Sequence, residues 1–166
     1  SVAALADSVL EGNSGTTVLQ YVVSRTGDRS AAASVQWDTS SSEVNGADFL
    51  AGSRPYGTLS FAAGESTKTI SLQIKGDKTP EGDETVSLRL HDAIGLGTAI
   101  GTELATTSLL NDDEYGVVTI SALDASLLEG GTGKVGFRFA LDRTGGDIAS
   151  AAHIAWAVNG GTANAV

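Results

Sequence analysis

Lys68-Thr69-Ile70-Ser71-Leu72-Gln73-Ile74-Lys75 alternates strictly between polar and apolar side chains. A period of two is typical of a β-strand with one buried face, because successive side chains point to opposite sides of the strand. Thr58–Phe61 and Thr85–Leu90 alternate in the same way, and turn-forming segments separate the three stretches. The sequence therefore predicts an all-β fold of short antiparallel strands, which is typical of a β-sandwich.

The alternating stretches and the turns between them predict seven strands in the first part of the chain. Their expected ranges are 2–10, 16–25, 32–39, 57–62, 66–75, 84–92 and 103–111. The large apolar side chains of these strands are expected to fill the space between two sheets, where they escape from water. They are Trp37, Phe61, Leu72, Ile74, Leu88 and Leu90.

The chain contains an internal repeat. Ser8–Gly12 recurs as Ser126–Gly130, and Arg25–Gly27 recurs as Arg143–Gly145, both 118 positions later. Such a fixed offset predicts tandem copies of one structural unit. The expected domains are 1–114, a complete repeat, and 115–166, a truncated second repeat with strands at 117–123, 134–142 and 149–158.

The truncated second repeat leaves open strand edges and an apolar face without a covering sheet. We expect it to be completed by another copy of the chain, through strand exchange in a homo-oligomer. The alternative is that it packs on the first repeat. Neighbouring repeats of the same kind are the other expected partners.

Composition excludes several classes of function. The chain has 166 residues, a net charge of −10 and no cysteine, which excludes disulfides, thiol catalysis and thiolate zinc sites. A strongly acidic surface repels phosphate backbones, so we expect no nucleic-acid partner. No apolar run approaches the roughly 20 residues that a membrane helix needs, so we expect no membrane insertion. The first ten residues lack a signal peptide's pattern, so targeting was removed or the sequence belongs to a longer chain.

An enzymatic function is not expected. His91 and His153 are the two histidines available as general bases, and neither lies in the sequence context of a nucleophile elbow. Glycoside cleavage requires a pair of carboxylates, and Glu81 and Glu84 could supply one. Their position in a loop at the tip of a sandwich argues against that reaction.

Many acidic residues fall in turns rather than in strands. A sandwich gathers alternate loops at one end, so these carboxylates are expected to converge there. Like charges a few Å apart repel unless a cation neutralises them, and a site of oxygen atoms alone suits calcium. The alternative is that these acids are simply solvated.

Several short motifs together resemble the Calx-β domain family. They occur in the family's order and spacing over about residues 1–115: Glu11-Gly12, Ala47-Asp48-Phe49, Gly57–Phe61, Gly64-Glu65, Lys68–Ile70, Gly76-Asp77, Glu81–Glu84 and Leu110–Asp113. The resemblance implies a seven-stranded, immunoglobulin-like sandwich that binds Ca²⁺. It also implies a repeat from an extracellular tandem array of the bacterial type.

The resemblance also implies a set of metal ligands. They are Glu11, Asp48, Asp77, Thr79 through its backbone carbonyl, Glu81, Glu84, Asp112 and Asp113. Gly76 and Asn111 stand where calcium-sensing members carry acids, and Lys78 adds a positive charge, so fewer or weaker ions are expected. Asp83 is expected to be a solvated neighbour of Glu84.

The expected function is that of a calcium-binding module in a cell-surface or secreted repeat protein, with a role in adhesion or scaffolding. Calcium bound near Asp112 and Asp113 is expected to stiffen the acidic loops and the joint to the second repeat. The alternative is a calcium-independent spacer, or a module that binds protein or glycan.

Overall fold

The computed structural model describes residues 1–41, 43–95, 98–128, 130–148 and 151–159. The chain divides into two compact units, Ser1–Tyr115 and Gly116–Val166. The strands of the first unit are β1 (Val2–Ala4), β2 (Ser8–Leu10), β3 (Thr16–Ser24), β4 (Ala33–Ser40), β5 (Tyr56–Phe61), β6 (Thr67–Lys75), β7 (Glu84–Ile94) and β8 (Leu104–Leu110). Over the described residues, no helix is long and apolar enough to cross a membrane.

The strands of the first unit form two sheets. One has the order β1-β3-β6, and the other has the order β2-β8-β7-β4-β5. Neighbouring strands are antiparallel except that β2 runs parallel to β8. The predicted all-β sandwich is therefore confirmed, whereas its description as antiparallel throughout is wrong at β2.

The core lies on the inner faces of the two sheets. The predicted core residues other than the tryptophan are at most 4% exposed: Phe61, Leu72, Ile74, Leu88 and Leu90. Trp37 is only partly buried and packs against this core. Buried Tyr21 on β3 donates a hydrogen bond from its hydroxyl to the Val86 carbonyl oxygen on β7 (3.1 Å), which ties the sheets together.

The first predicted strand, 2–10, is wrong as a single element because the chain changes sheets within it. The Leu5 amide still donates to the Gln20 carbonyl on β3 (2.9 Å), whereas the Asp7 carbonyl accepts from the Ser108 amide on β8 (2.8 Å). The first unit consequently has eight strands over the residues described instead of the seven expected.

The second unit repeats the start of the first in its strand register. Its strands β9 (Val117–Ala122) and β10 (Phe139–Thr144) pair antiparallel, with Ile120 opposite Leu141. These residues lie 118 positions after Val2 and Val23, which pair in the first unit. The predicted strand 134–142 begins later, at Phe139.

The last predicted strand, 149–158, is wrong where the structure describes it, because residues 151–158 are not in a strand. Residues 149 and 150 lie outside the described residues, as does Glu129 of the repeated motif. An isolated hairpin offers few partners for a third strand, and most of its side chains are exposed.

Candidate metal centre

The loops that carry the predicted ligands meet at one end of the first unit. There β3 begins beside the end of β6, and β7 begins beside the end of β8. The Glu11 amide donates to the Leu110 carbonyl (3.0 Å), and the Lys75 amide donates to the Asp48 carbonyl (2.7 Å). We call this region the acidic end, and it comprises residues 11–15, 45–48, 76–84 and 111–113.

Glu11 is buried in the acidic end, with 8% of its surface exposed. Its pKa is raised from 4.5 to about 7, mainly because burial penalises the charged form. The negative charges of Asp77, Glu81, Glu84 and Asp113 raise it further. At neutral pH the site therefore holds a carboxylate that is only partly ionised and that a cation would favour in its charged form.

Glu84 and Glu81 are perturbed in the same direction. Burial raises the pKa of Glu84 to about 6, and the charges of Asp48, Glu81 and Glu43 add to the effect. The pKa of Glu81 is also raised, first by burial and then by surrounding carboxylates. Side chains from four separate segments thus act on one another electrostatically.

Asp113 has a carboxylate oxygen without a hydrogen-bond partner. One of its carboxylate oxygens, Oδ2, is buried and has no hydrogen-bond partner. The pKa of Asp113 is raised by loss of water and by Asp112 and Asp77, while Lys78 acts in the opposite direction. An unpaired buried carboxylate oxygen is costly, and a cation would satisfy it.

Two of the predicted ligands already accept hydrogen bonds at both carboxylate oxygens. Asp112 accepts from the Gly12 amide and from the Asn13 side-chain amide, each at 3.0 Å. Asp48 accepts from the backbone amide (2.6 Å) and the side-chain amide (3.2 Å) of Asn45. These hydrogen bonds hold the loops of the acidic end in place.

Asp77 stabilises its own loop. Its carboxylate accepts a bond from the Thr79 amide (2.6 Å), and this bond is the main cause of its lowered pKa. Thr79 itself is exposed. Across the described part of the chain, no three histidine, cysteine, aspartate or glutamate side chains are grouped so as to hold a metal ion. The predicted ligands therefore lie at one end of the first unit and shift one another's pKa values. They do not form a preformed coordination site there.

Two residues outside the predicted ligand set shape this end. Asp83 is exposed, as expected of a solvated residue, and its carboxylate also accepts a bond from the Asn111 amide (3.1 Å). The Asn111 side chain in turn bonds to the Glu81 amide and the Asp113 carbonyl. The sequence did offer one signal for this role of Asn111. It is the last residue of a predicted strand, at the end of the sandwich where the 76–83 loop was also expected.

No family model matches the chain. Over 72 aligned positions, the chain is 38% identical to adhesion G-protein coupled receptor V1 of Danio rerio. The match covers 39% of this chain but 1% of the receptor.

Solved structures give a broader match. The chain is 28% identical to the calcium binding domain CBD12 of CALX1.1 (TM-score 0.54), to the apo form of the Calx CBD1 domain (0.54) and to CBD12 from CALX1.2 (0.55). Each match covers 68% of this chain. The chain spans 98% of the CBD1 structure and 45% of each CBD12 structure, so only the single domain matches nearly in full.

The fold is therefore Calx-β-like. One of the solved structures that it resembles, CBD12 of CALX1.1, is described as a calcium binding domain.

Proposed function

We propose that this chain is a calcium-binding β-sandwich module and that its acidic end holds the ion. The observation that carries the proposal is Glu11, a buried carboxylate whose pKa is raised to about 7, first by burial and then by the negative charges of four other carboxylates. The likeness to the solved structure described as the calcium binding domain CBD12 of CALX1.1 supports the same assignment.

The residues present fit a hard divalent cation. Calcium accepts six to eight oxygen ligands in flexible geometry. Glu11, Glu81, Glu84 and Asp113 have raised pKa values and are the first candidates to hold it. Four further predicted ligands would complete the set: Asp48, Asp77, the Thr79 carbonyl and Asp112. A bound ion would supply positive charge that offsets the mutual repulsion of these groups.

The biological role that we propose is adhesion or scaffolding in a secreted or cell-surface repeat protein. The ligand candidates come from segments far apart in sequence, so an ion would order loops that are otherwise held by hydrogen bonds. Asp113 lies three positions before the start of the second unit, so ordering it would stiffen the chain that leads to the next repeat. A calcium-independent spacer, or a module for protein or glycan, is the alternative.

Isothermal titration with calcium chloride tests the calcium proposal. We expect saturable binding and a higher melting temperature, because a ligand that binds only the folded state stabilises it by about 2.7 kcal/mol at a hundredfold excess over Kd. The double variant Asp112→Asn with Asp113→Asn is expected to lose both effects. Glu103→Gln is the matched control, since Glu103 lies before β8 and the aspartates lie after it.

A parent protein that shows no binding heat and the same melting temperature with and without calcium would contradict the proposal. It would favour the spacer alternative. A loss of binding in Glu103→Gln as large as that in the double variant would place the ion elsewhere.

We also propose that a second copy of the chain covers the apolar face of the β9–β10 hairpin. Ile120, Leu141 and Phe139 share one face and are 64%, 55% and 52% exposed. The equivalent residues of the first unit, Val2, Val23 and Tyr21, are at most 4% exposed. The same face on two copies gives a self-complementary contact about a two-fold axis.

Light scattering during size-exclusion chromatography tests this second-copy proposal. We expect a dimer at high concentration, and Ile120→Lys with Leu141→Lys is expected to make the protein monomeric. Thr119→Lys is the control, because Thr119 pairs with Asp142 on the opposite, polar face. A monomer at every concentration would exclude the second copy as the covering partner.

A further inference from the structure

The segment 111–113 contacts two different loops through alternate residues. Asp112 bonds to the 12–13 turn through both carboxylate oxygens. Asn111 bonds to the 81–83 loop: its amide donates to the Asp83 carboxylate (3.1 Å), and its side-chain oxygen accepts from the Glu81 amide (3.4 Å). The short run after β8 therefore fastens two loops of the acidic end at once.

Asn111 makes contacts that an aspartate at this position could not make. Its side-chain nitrogen donates to the carbonyl oxygen of Asp113 (2.9 Å), while its side-chain oxygen accepts from Glu81. A carboxylate has acceptors only. It would place negative charge beside the Asp113 carbonyl and the Asp83 carboxylate. The amide is thus suited to join two loops that both carry negative charge.

The Asp83 carboxylate extends the pairing of β7 and β8 through a side-chain hydrogen bond instead of a backbone one. The regular register of β7 and β8 begins at Glu84 opposite Leu109. One step beyond it, the Asp83 side chain accepts the Asn111 amide that no strand carbonyl takes. This contact holds the start of β7 against the end of β8, two positions before Asp113.

We infer that Asn111, together with Asp83, is a positioning residue that holds Glu81 and Asp113 together before any ion binds. This inference rests on the proposed calcium function, and it changes the meaning of Asn111. Instead of a lost ligand, Asn111 is the clamp that offsets the cost of ordering two loops. A preorganised site binds more tightly because less ordering remains to be done on binding.

The test uses the whole chain and two measurements. Asn111→Ala is expected to bind calcium about tenfold more weakly by titration calorimetry, as removal of one or two hydrogen bonds predicts. In the calcium-free protein, hydrogen exchange of the Glu81 amide is expected to accelerate in the same variant. A purely ligating role for Asn111 would leave calcium-free exchange unchanged.

Asp83 supplies the matched pair of variants. Asp83→Asn keeps an oxygen that accepts the Asn111 amide and removes one charge, so affinity close to that of the parent is expected. Asp83→Ala removes the acceptor, and its affinity is expected to fall as in Asn111→Ala. Equal losses in Asp83→Asn and Asp83→Ala would assign the effect to charge and overturn the inference.

The two proposals fail in different ways. If the parent binds no calcium, the proposed function fails, while faster exchange at Glu81 in Asn111→Ala would still support the clamp. If the parent binds calcium and Asn111→Ala changes neither affinity nor exchange, the clamp is excluded and the calcium function remains.

Discussion

Acidification from about pH 8 to about pH 5.5 is expected to stabilise the calcium-free protein by about 2 kcal/mol. The cause is Glu11, whose pKa in the folded protein is about 7 instead of 4.5. A carboxyl group with a raised pKa in the folded state binds more protons there than in the unfolded chain. Its stabilising contribution is present in full below about pH 4.5 and is lost as the pH rises through about 7.

The calcium-loaded protein is expected to show the opposite trend over the same range. Calcium requires the ionised carboxylates, so protonation of Glu11 near pH 7 and of Glu84 near pH 6 competes with the ion. Melting curves at several pH values, with calcium or with a chelator, measure both slopes. The curves are expected to converge as the pH falls.

Glu11→Gln is the variant that isolates this pH effect. A neutral amide of the same shape removes the Glu11 titration, so the pH dependence of the calcium-free melting temperature between about 5.5 and 8 is expected to shrink to the smaller part that Glu84 contributes. Asp7→Asn is the control, because Asp7 is exposed. A calcium-free parent that loses stability on acidification over this range would contradict the raised pKa of the buried Glu11 carboxylate.

The interior of the sandwich could be predicted from the sequence because alternation is a local property. The alternating stretch at 66–75 was expected as a strand and is β6 at Thr67–Lys75, with Ile70, Leu72 and Ile74 in the core. The division of 2–10 into β1 and β2 could not be predicted in this way. It depends on which sheet offers a free edge at Leu5 and Asp7, and that is a property of the assembled unit.

The acidic end was predictable as a region but not as a set of separate roles. The position of the acidic residues in turns predicted that they would meet at one end of the sandwich. The resemblance to the Calx-β family predicted which of them would be metal ligands. Neither indicated that Asp112 and Asp48 each accept a bond from an asparagine side chain, or that Asp83 joins the ends of two strands. Such contacts depend on distances across loops, because residues up to 100 positions apart meet there.

Gly76 is a position where the sequence suggests a substitution that the packing of the structure does not allow. The family resemblance aligns Gly76 with a position where calcium-sensing members often carry an acid, which suggests that Gly76→Asp would supply a further ligand. In the structure there is no room for a side chain: a Cβ on Gly76 would overlap the carbonyl oxygen of Gly12, lie 2.8 Å from its carbonyl carbon and lie 3.2 Å from the Glu11 carbonyl oxygen. The Gly76 amide also donates to the Gly15 carbonyl (3.2 Å), so the two backbones are held together.

Gly76→Asp and Gly76→Ala are therefore both expected to destabilise the fold by at least about 2 kcal/mol in urea unfolding, since backbone rather than a flexible side chain must move. Calcium affinity is expected to fall in Gly76→Asp despite the added charge, because the displaced turn carries Glu11. Gly82→Asp is the matched control, because it adds the same charge in the same loop and a Cβ there meets nothing within 4 Å. A Gly76→Asp protein as stable as Gly82→Asp, with tighter calcium binding than the parent, would mean that the two turns can separate at little cost and that Gly76 is only a missing ligand.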